Sequence, residues 1–182
     1  MVQPKPEAQN TAATYHGAFD YGELRRLGFS PDEVTDFSVN SNPHGPIPGL
    51  GNVLAQVPLD RYPDRDCIAL REKLAGFHQT TIEHIVCGNG TTELLLLIAN
   101  AFVRPGDKAL ILGPTFGEYS RAVELAGGSV ATKDVLGSGT PDQSAIGAAV
   151  QRIEPRLVFL CHPNNPTGYA WPVGTLVSVA EA

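Results

Sequence analysis

The chain holds 182 residues, 42% of them hydrophobic and 18% charged, with a formal net charge of −6, which supports one sizeable core and argues against a disordered polymer. The acidic balance and dispersed arginines leave no basic stripe, so no nucleic-acid partner is expected. No apolar run approaches a bilayer span and the opening MVQPKPEAQNTAAT lacks the apolar stretch of a secretory signal, so a soluble, cytoplasmic protein without a membrane partner is expected.

In chain order, residues 1 to about 15 are polar and proline-bearing and read as a mobile arm. Tyr21 to Leu27 reads as a short helix closed by Gly28. VTDFSVN alternates like a strand and runs into SNPHGPIPG, whose Pro, Gly and Asn force a loop. From Asp66 to Phe77, Cys67, Leu70, Leu74 and Phe77 fall three or four apart and predict an amphipathic helix. A second helix is expected from Thr91 or Thr92, carrying Leu95, Leu96, Ala99 and Phe102 inward. KALILG predicts a strand, Glu118 to Ala126 a helix, GGSVATKDV a strand, SAIGAAVQRI a helix and RLVFLC a strand. Short apolar strands alternating with helices predict an α/β layer with a mainly parallel sheet.

In that architecture ligands collect beyond the carboxyl ends of strands. Three loops follow such ends: CGNGTTE after Ile85 and Val86, GPTFGEY after Ile111 and Leu112, and HPNNPTG after Phe159 and Leu160. In the first, Gly88 and Gly90 can bring amides close to an anion, and Thr91 or Thr92 can cap the helix that follows. The letters do not spell the phosphate loop of nucleotide hydrolases or the dinucleotide fingerprint. In the second, Phe116 can stack on a planar group or belong to the core. In the third, Asn165 can donate to a ring oxygen while Asn164 holds the turn. Glu118 and Asp134 read as solvated surface. Cys67, Cys87 and Cys161 are too widely spaced for a disulfide framework or a zinc pattern and read as buried thiols. Cys161 and His162 point to opposite faces of a strand and lack a compact set of further ligands, so no metal site is expected.

The stretches DFSVNSNPHGP, RYPD, LREKLAGF, CGNGTTELL, FVRPGDKALILGPTFGEY and PNNPTG follow one another from Asp36 to Gly168. In that order the chain resembles the N-terminal part of fold-type I pyridoxal-phosphate (PLP) enzymes, of the histidinol-phosphate aminotransferase type within the class I/II aminotransferases. The resemblance implies that Gly90, Thr91 and Thr92 bind the cofactor phosphate, that Phe116 stacks on the pyridine ring and that Asn165 hydrogen-bonds its phenolate oxygen. It further implies that Tyr62 reaches the phosphate of a second subunit in a homodimer, and that Asn42 lies near a small phosphorylated amino substrate. YHG at Tyr15 to Gly17, with DFSVNSNPHGP, is more similar to the threonine-phosphate decarboxylases of cobalamin biosynthesis, with His16 as a contact for a substrate anion.

The resemblance divides the chain into an arm with a short helix, residues 1–35, and an incomplete PLP-binding large domain, residues 36–182. The lysine that takes the cofactor, a carboxylate for the ring nitrogen and an arginine for the substrate carboxylate belong to segments that the resemblance places after residue 182. None of Lys5, Lys73, Lys108 and Lys133 stands in the family's lysine segment. The expectation is a fragment without transaminase or decarboxylase activity, with an apolar sheet edge, one uncovered face and poor solubility. A non-catalytic cofactor-binding module is the alternative from another class.

Overall fold

The computed structural model describes residues 2–12, 17–135 and 143–181. Helices run over Pro6–Asn10 (α1), Tyr21–Leu27 (α2), Leu50–Leu54 (α3), Ile68–His78 (α4), Thr91–Phe102 (α5), Glu118–Leu125 (α6), Gln143–Ile153 (α7) and Val173–Glu181 (α8), and strands over Lys108–Gly113 (β1), Ser129–Asp134 (β2) and Leu157–Phe159 (β3). Among the described residues no helix is long and apolar enough to cross a membrane. The chain divides into two compact units, Met1–Thr14 with Gly88–Ala182, and Tyr15–Cys87.

The first unit carries the sheet. Its strands are parallel in the order β2-β1-β3, with Leu110 opposite both Ala131 and Val158. Alternation along β1 sends Ala109 and Ile111 to one face and Leu110 and Leu112 to the other. Ala109 and Ile111 pack with Leu95 and Ala99 of α5 and with Tyr119, Ala122 and Val123 of α6. Leu110 and Leu112 pack with Ile146 and Ala149 of α7 and with Trp171, and Leu176 of α8 closes that cluster. Both faces of the central strand are therefore covered, contrary to the expected bare face, because α7 and α8 lie on the side that α5 and α6 leave open. A parallel sheet buried on both faces is the usual setting for a continuous apolar strand such as ALIL.

Several expectations for this unit need correction. The N-terminal arm is not loose along its whole length: α1 packs on α6, and Lys5 Nζ donates to the Leu125 carbonyl at 2.7 Å, satisfying an acceptor at the helix end. Phe102, expected inward, is exposed, since α5 turns its buried stripe through Leu95 and Ala99. Glu118 is buried and meets Arg121 Nη1 at 3.3 Å, whereas Asp134 is exposed as expected. Gly128 sits where a Cβ would lie 2.5 Å from Val103 Cγ1 and 2.9 Å from Val123 Cγ1. Gly128→Ala is therefore expected to cost about 2 kcal/mol through overpacking, measured as a lowered midpoint of urea unfolding.

In the second unit, α2 begins with Asp20 accepting the Glu23 amide and ends at Gly28, left-handed at φ 79°, as the sequence predicts. VTDFSVN is not a strand. Asp36 Oδ1 accepts both the amide and the hydroxyl of Ser38, which commits the backbone to a local bend. α4 starts at Ile68, after Cys67 at φ 49°, and its apolar stripe is largely open: Leu70 is exposed and Phe77 is 81% exposed, while Ala75 is buried. Ile85 and Val86 form no strand and follow a short 3-10 turn over Ile82–His84. Arg71 fastens that turn to α4, donating to the carbonyls of Ile85 at 2.9 Å and Ile82 at 2.8 Å.

Candidate functional site

The start of α5 is built by glycine. Gly90 is the N-cap at φ 84°, a conformation that a side chain would strain, and no side chain caps the helix. Thr91 and Thr92 are not caps as expected; they are the first two helical residues, because the chain enters the helix one position earlier at Gly90. Glu93 turns back to accept from the Asn89 amide and, at 3.2 Å, from Asn89 Nδ2. The first-turn amides of a helix lack intrahelical acceptors and carry the positive end of its dipole. Two threonine hydroxyls therefore stand next to a helix terminus suited to an anion, and a Cβ on Gly90 would meet nothing within 4 Å.

GPTFGEY leaves the carboxyl end of β1. Phe116 is half-buried against the cluster shared by α5 and α6, so it is neither wholly core nor wholly free. Its ring meets Tyr119 edge-on with centroids 5.8 Å apart, and Tyr119 stacks on Phe159 at 4.9 Å. Burial pushes the Tyr119 phenol well above its ordinary pKa, and the neighbouring Cys161 thiol adds to the shift. Tyr119 thus stays neutral throughout the physiological range.

PNNPTG leaves the end of β3 and joins the neighbouring loop through Asn164. That residue is 2% exposed. Its Nδ2 donates to the Pro114 carbonyl at 3.0 Å and to Thr167 Oγ1 at 2.9 Å; its amide donates to the Tyr169 carbonyl at 2.8 Å. Asn165 is exposed, and its amide donates to Cys161 Sγ at 3.4 Å. Asn164 holds the turn, as its sequence context suggests, while Asn165 is presented outward. Asn164 Oδ1 and Thr115 Oγ1 are buried without a hydrogen-bond partner among the described residues, which marks this junction as polar and incompletely satisfied.

Two of the three loops are thus bonded directly, and the third is linked by packing: Leu95, one turn into α5, shares a cluster with Tyr119, Phe159 and Phe116. Tyr62 and Asn42 belong to the other unit. Tyr62 is 98% exposed, and Asn42 holds its own turn, with Nδ2 donating to the Gly45 carbonyl and Oδ1 accepting the His44 amide, both at 3.0 Å. His16 lies outside the described residues.

Sequence reasoning missed Trp171 as a support. Trp171 Nε1 donates to the Cys161 carbonyl at 2.9 Å, and its amide donates to His162 Nδ1 at 3.0 Å. The only cue was a lone buried-type aromatic placed shortly after a Pro-rich turn. All three cysteines are free and half-buried, not buried as expected, since each lies at an element end or loop.

The family profile described as aminotransferase class I and II matches residues 32–182. The histidinol-phosphate aminotransferase of Moorella thermoacetica is 39% identical over 147 residues, which is 79% of this chain and 37% of that protein. The threonine-phosphate decarboxylase of Salmonella typhimurium is 36% identical over 149 residues, 78% of this chain and 39% of that protein. This chain accordingly spans less than half the length of the curated relatives it matches. Among solved structures, histidinol-phosphate aminotransferase from Sinorhizobium meliloti, in complex with pyridoxal-5'-phosphate, superposes on all of this chain and 48% of its own, with a TM-score of 0.82 at 24% identity. Parallel sheet, covering helices and loops at the strand ends thus follow a known α/β pattern, and with the profile spanning most of its length, this chain belongs to the class I and II aminotransferases.

Proposed function

We propose that this chain is the phosphate- and ring-binding part of a PLP-dependent aminotransferase of the histidinol-phosphate aminotransferase kind, acting on a small phosphorylated amino substrate. The observation that carries the reading is the uncapped start of α5 behind Gly90, with Thr91 and Thr92 beside it. The residues fit the cofactor. A phosphate suits the first-turn amides and the two hydroxyls; a flat ring suits the half-buried Phe116; a ring oxygen suits the amide of the exposed Asn165, whose backbone is tied down. When bound, PLP supplies the electron sink for chemistry at the substrate's amino carbon. The protein's part here is to hold the phosphate, cover one ring face and donate a hydrogen bond. Tyr62 is assigned to the phosphate of a partner subunit in a homodimer, and Asn42 and His16 to the substrate.

None of the chain's four lysines belongs to the three loops: Lys5 bonds to Leu125, Lys108 opens β1 at the end away from them, Lys133 is on β2 and Lys73 is in the other unit. The 182-residue chain is therefore expected to hold PLP without a covalent link and to show no turnover alone. The test is titration with PLP, followed by quenching of Trp171, the single tryptophan. Saturable binding is expected. Thr91→Val with Thr92→Val should weaken it roughly tenfold, as two charge-assisted hydrogen bonds are lost, and borohydride should leave the protein unlabelled. Absence of saturable binding overturns the proposal.

A second reading, decarboxylation of threonine phosphate, is supported by the 36% identity to the Salmonella enzyme. In a full-length protein the two separate cleanly. Nitrogen passing from histidinol phosphate to a keto acid supports the first reading, and CO₂ released from O-phosphothreonine supports the second.

A further inference from the structure

We infer that Cys161 is a positioning residue whose thiol fixes the backbone of Asn165, and with it the direction in which the Asn165 side chain is presented to the cofactor ring. The inference rests on the cofactor reading above for its consequence, though not for its geometry. Cys161 Sγ accepts the Asn165 amide at 3.4 Å and donates to the Pro163 carbonyl at 3.3 Å, so one side chain spans the loop from its first residue to its fifth. The base of the span is itself held, because Trp171 Nε1 bonds the Cys161 carbonyl at 2.9 Å.

Cys161 also packs against the cluster that holds the buried Tyr119. Tyr119 is stacked on Phe159 and meets Phe116 edge-on, so its position is set by the aromatic cluster. Phe116 and Asn165, the two side chains assigned to the ring, are thereby coupled through a three-residue relay of Phe116, Tyr119 and Cys161. A thiol suits the task because sulfur is large enough to meet both partners at long hydrogen-bond distances, where a serine oxygen is shorter and smaller. Alanine removes both contacts at once.

The experiment compares the 182-residue protein with Cys161→Ala and Cys161→Ser. Amide hydrogen exchange is read by NMR at Asn165, with the amides of α7 as the folding control. In Cys161→Ala, exchange at Asn165 should quicken roughly fivefold, the effect of one lost modest hydrogen bond, while α7 is unchanged; Cys161→Ser should recover part of the protection. In ligand titrations, Cys161→Ala should weaken PLP by a similar roughly fivefold factor and leave inorganic phosphate unaffected, since phosphate alone does not reach Asn165. A merely structural role would move both ligands together. Unchanged exchange at Asn165 in Cys161→Ala, with α7 intact, overturns the inference. So does equal weakening of PLP and phosphate. Because the exchange measurement needs no cofactor, it judges the latch even where wild-type protein shows no saturable PLP binding, a result that overturns the cofactor reading alone.

Discussion

Leu110→Ala is expected to lower the unfolding free energy by about 3 kcal/mol, within the range for deleting a fully buried leucine side chain. Leu110 has no exposed surface and lies in the middle strand of the sheet, between β2 and β3. Its side chain sits in the cluster formed with Leu112, Val135, Ile146, Ala149 and Trp171. The strand is anchored in register on both sides and its other face is occupied by α5 and α6. The backbone therefore cannot sink to fill the space, and most of the vacated volume stays empty, which is the condition that puts a leucine deletion in the costlier part of its range. Trp171 belongs to the same cluster, so urea unfolding followed by its fluorescence reads the effect directly. Leu97→Ala, on the exposed side of α5, is the matched control and should stay within about 0.5 kcal/mol. Equal effects from the two would show that the sheet is not the cooperative core.

The contrast between β1 and α4 explains how much of the fold was legible in the sequence. An apolar run as dense as ALIL has to be buried on both faces, so the strand and its parallel sheet could be read from composition and spacing. The stripe Leu70, Leu74, Phe77 announces an apolar face, yet periodicity does not reveal what covers it, and Phe77 remains open. VTDFSVN fails for a different reason: alternation signals a strand only where a neighbouring strand accepts its hydrogen bonds, and Asp36 captures Ser38 first. At the site, the loops were legible because Gly, Asn and Pro impose local backbone geometry. The relay from Phe116 through Tyr119 to Cys161 was not, since it joins residues about forty positions apart whose contact depends on β1 lying beside β3.

The neighbouring asparagines provide the sharpest test of that local logic, because equivalent substitutions should act on different quantities. Asn164→Asp is expected to cost about 3 kcal/mol, since a buried amide that donated two hydrogen bonds becomes a carboxylate facing the same atoms. Thr167 can rotate its hydroxyl to donate to the new oxygen. The Pro114 carbonyl has no proton to offer, so repulsion remains at the bond that holds the two loops together. Burial beside that carbonyl raises the carboxyl pKa of the folded state above its unfolded value of about 4. The folded form is then favoured least at high pH: the loss is greatest above the raised pKa and shrinks as the pH falls toward 4 and the acid is protonated. Asn165→Asp leaves stability within about 0.5 kcal/mol because the side chain is exposed. It should instead weaken PLP by roughly tenfold or more, as a donor to the ring oxygen becomes a like charge beside it. Urea midpoints at two pH values, set beside PLP titrations of both variants, resolve the pair. A stability loss at Asn165 equal to that at Asn164 would mean that both residues hold the turn and that the outward assignment of Asn165 is wrong.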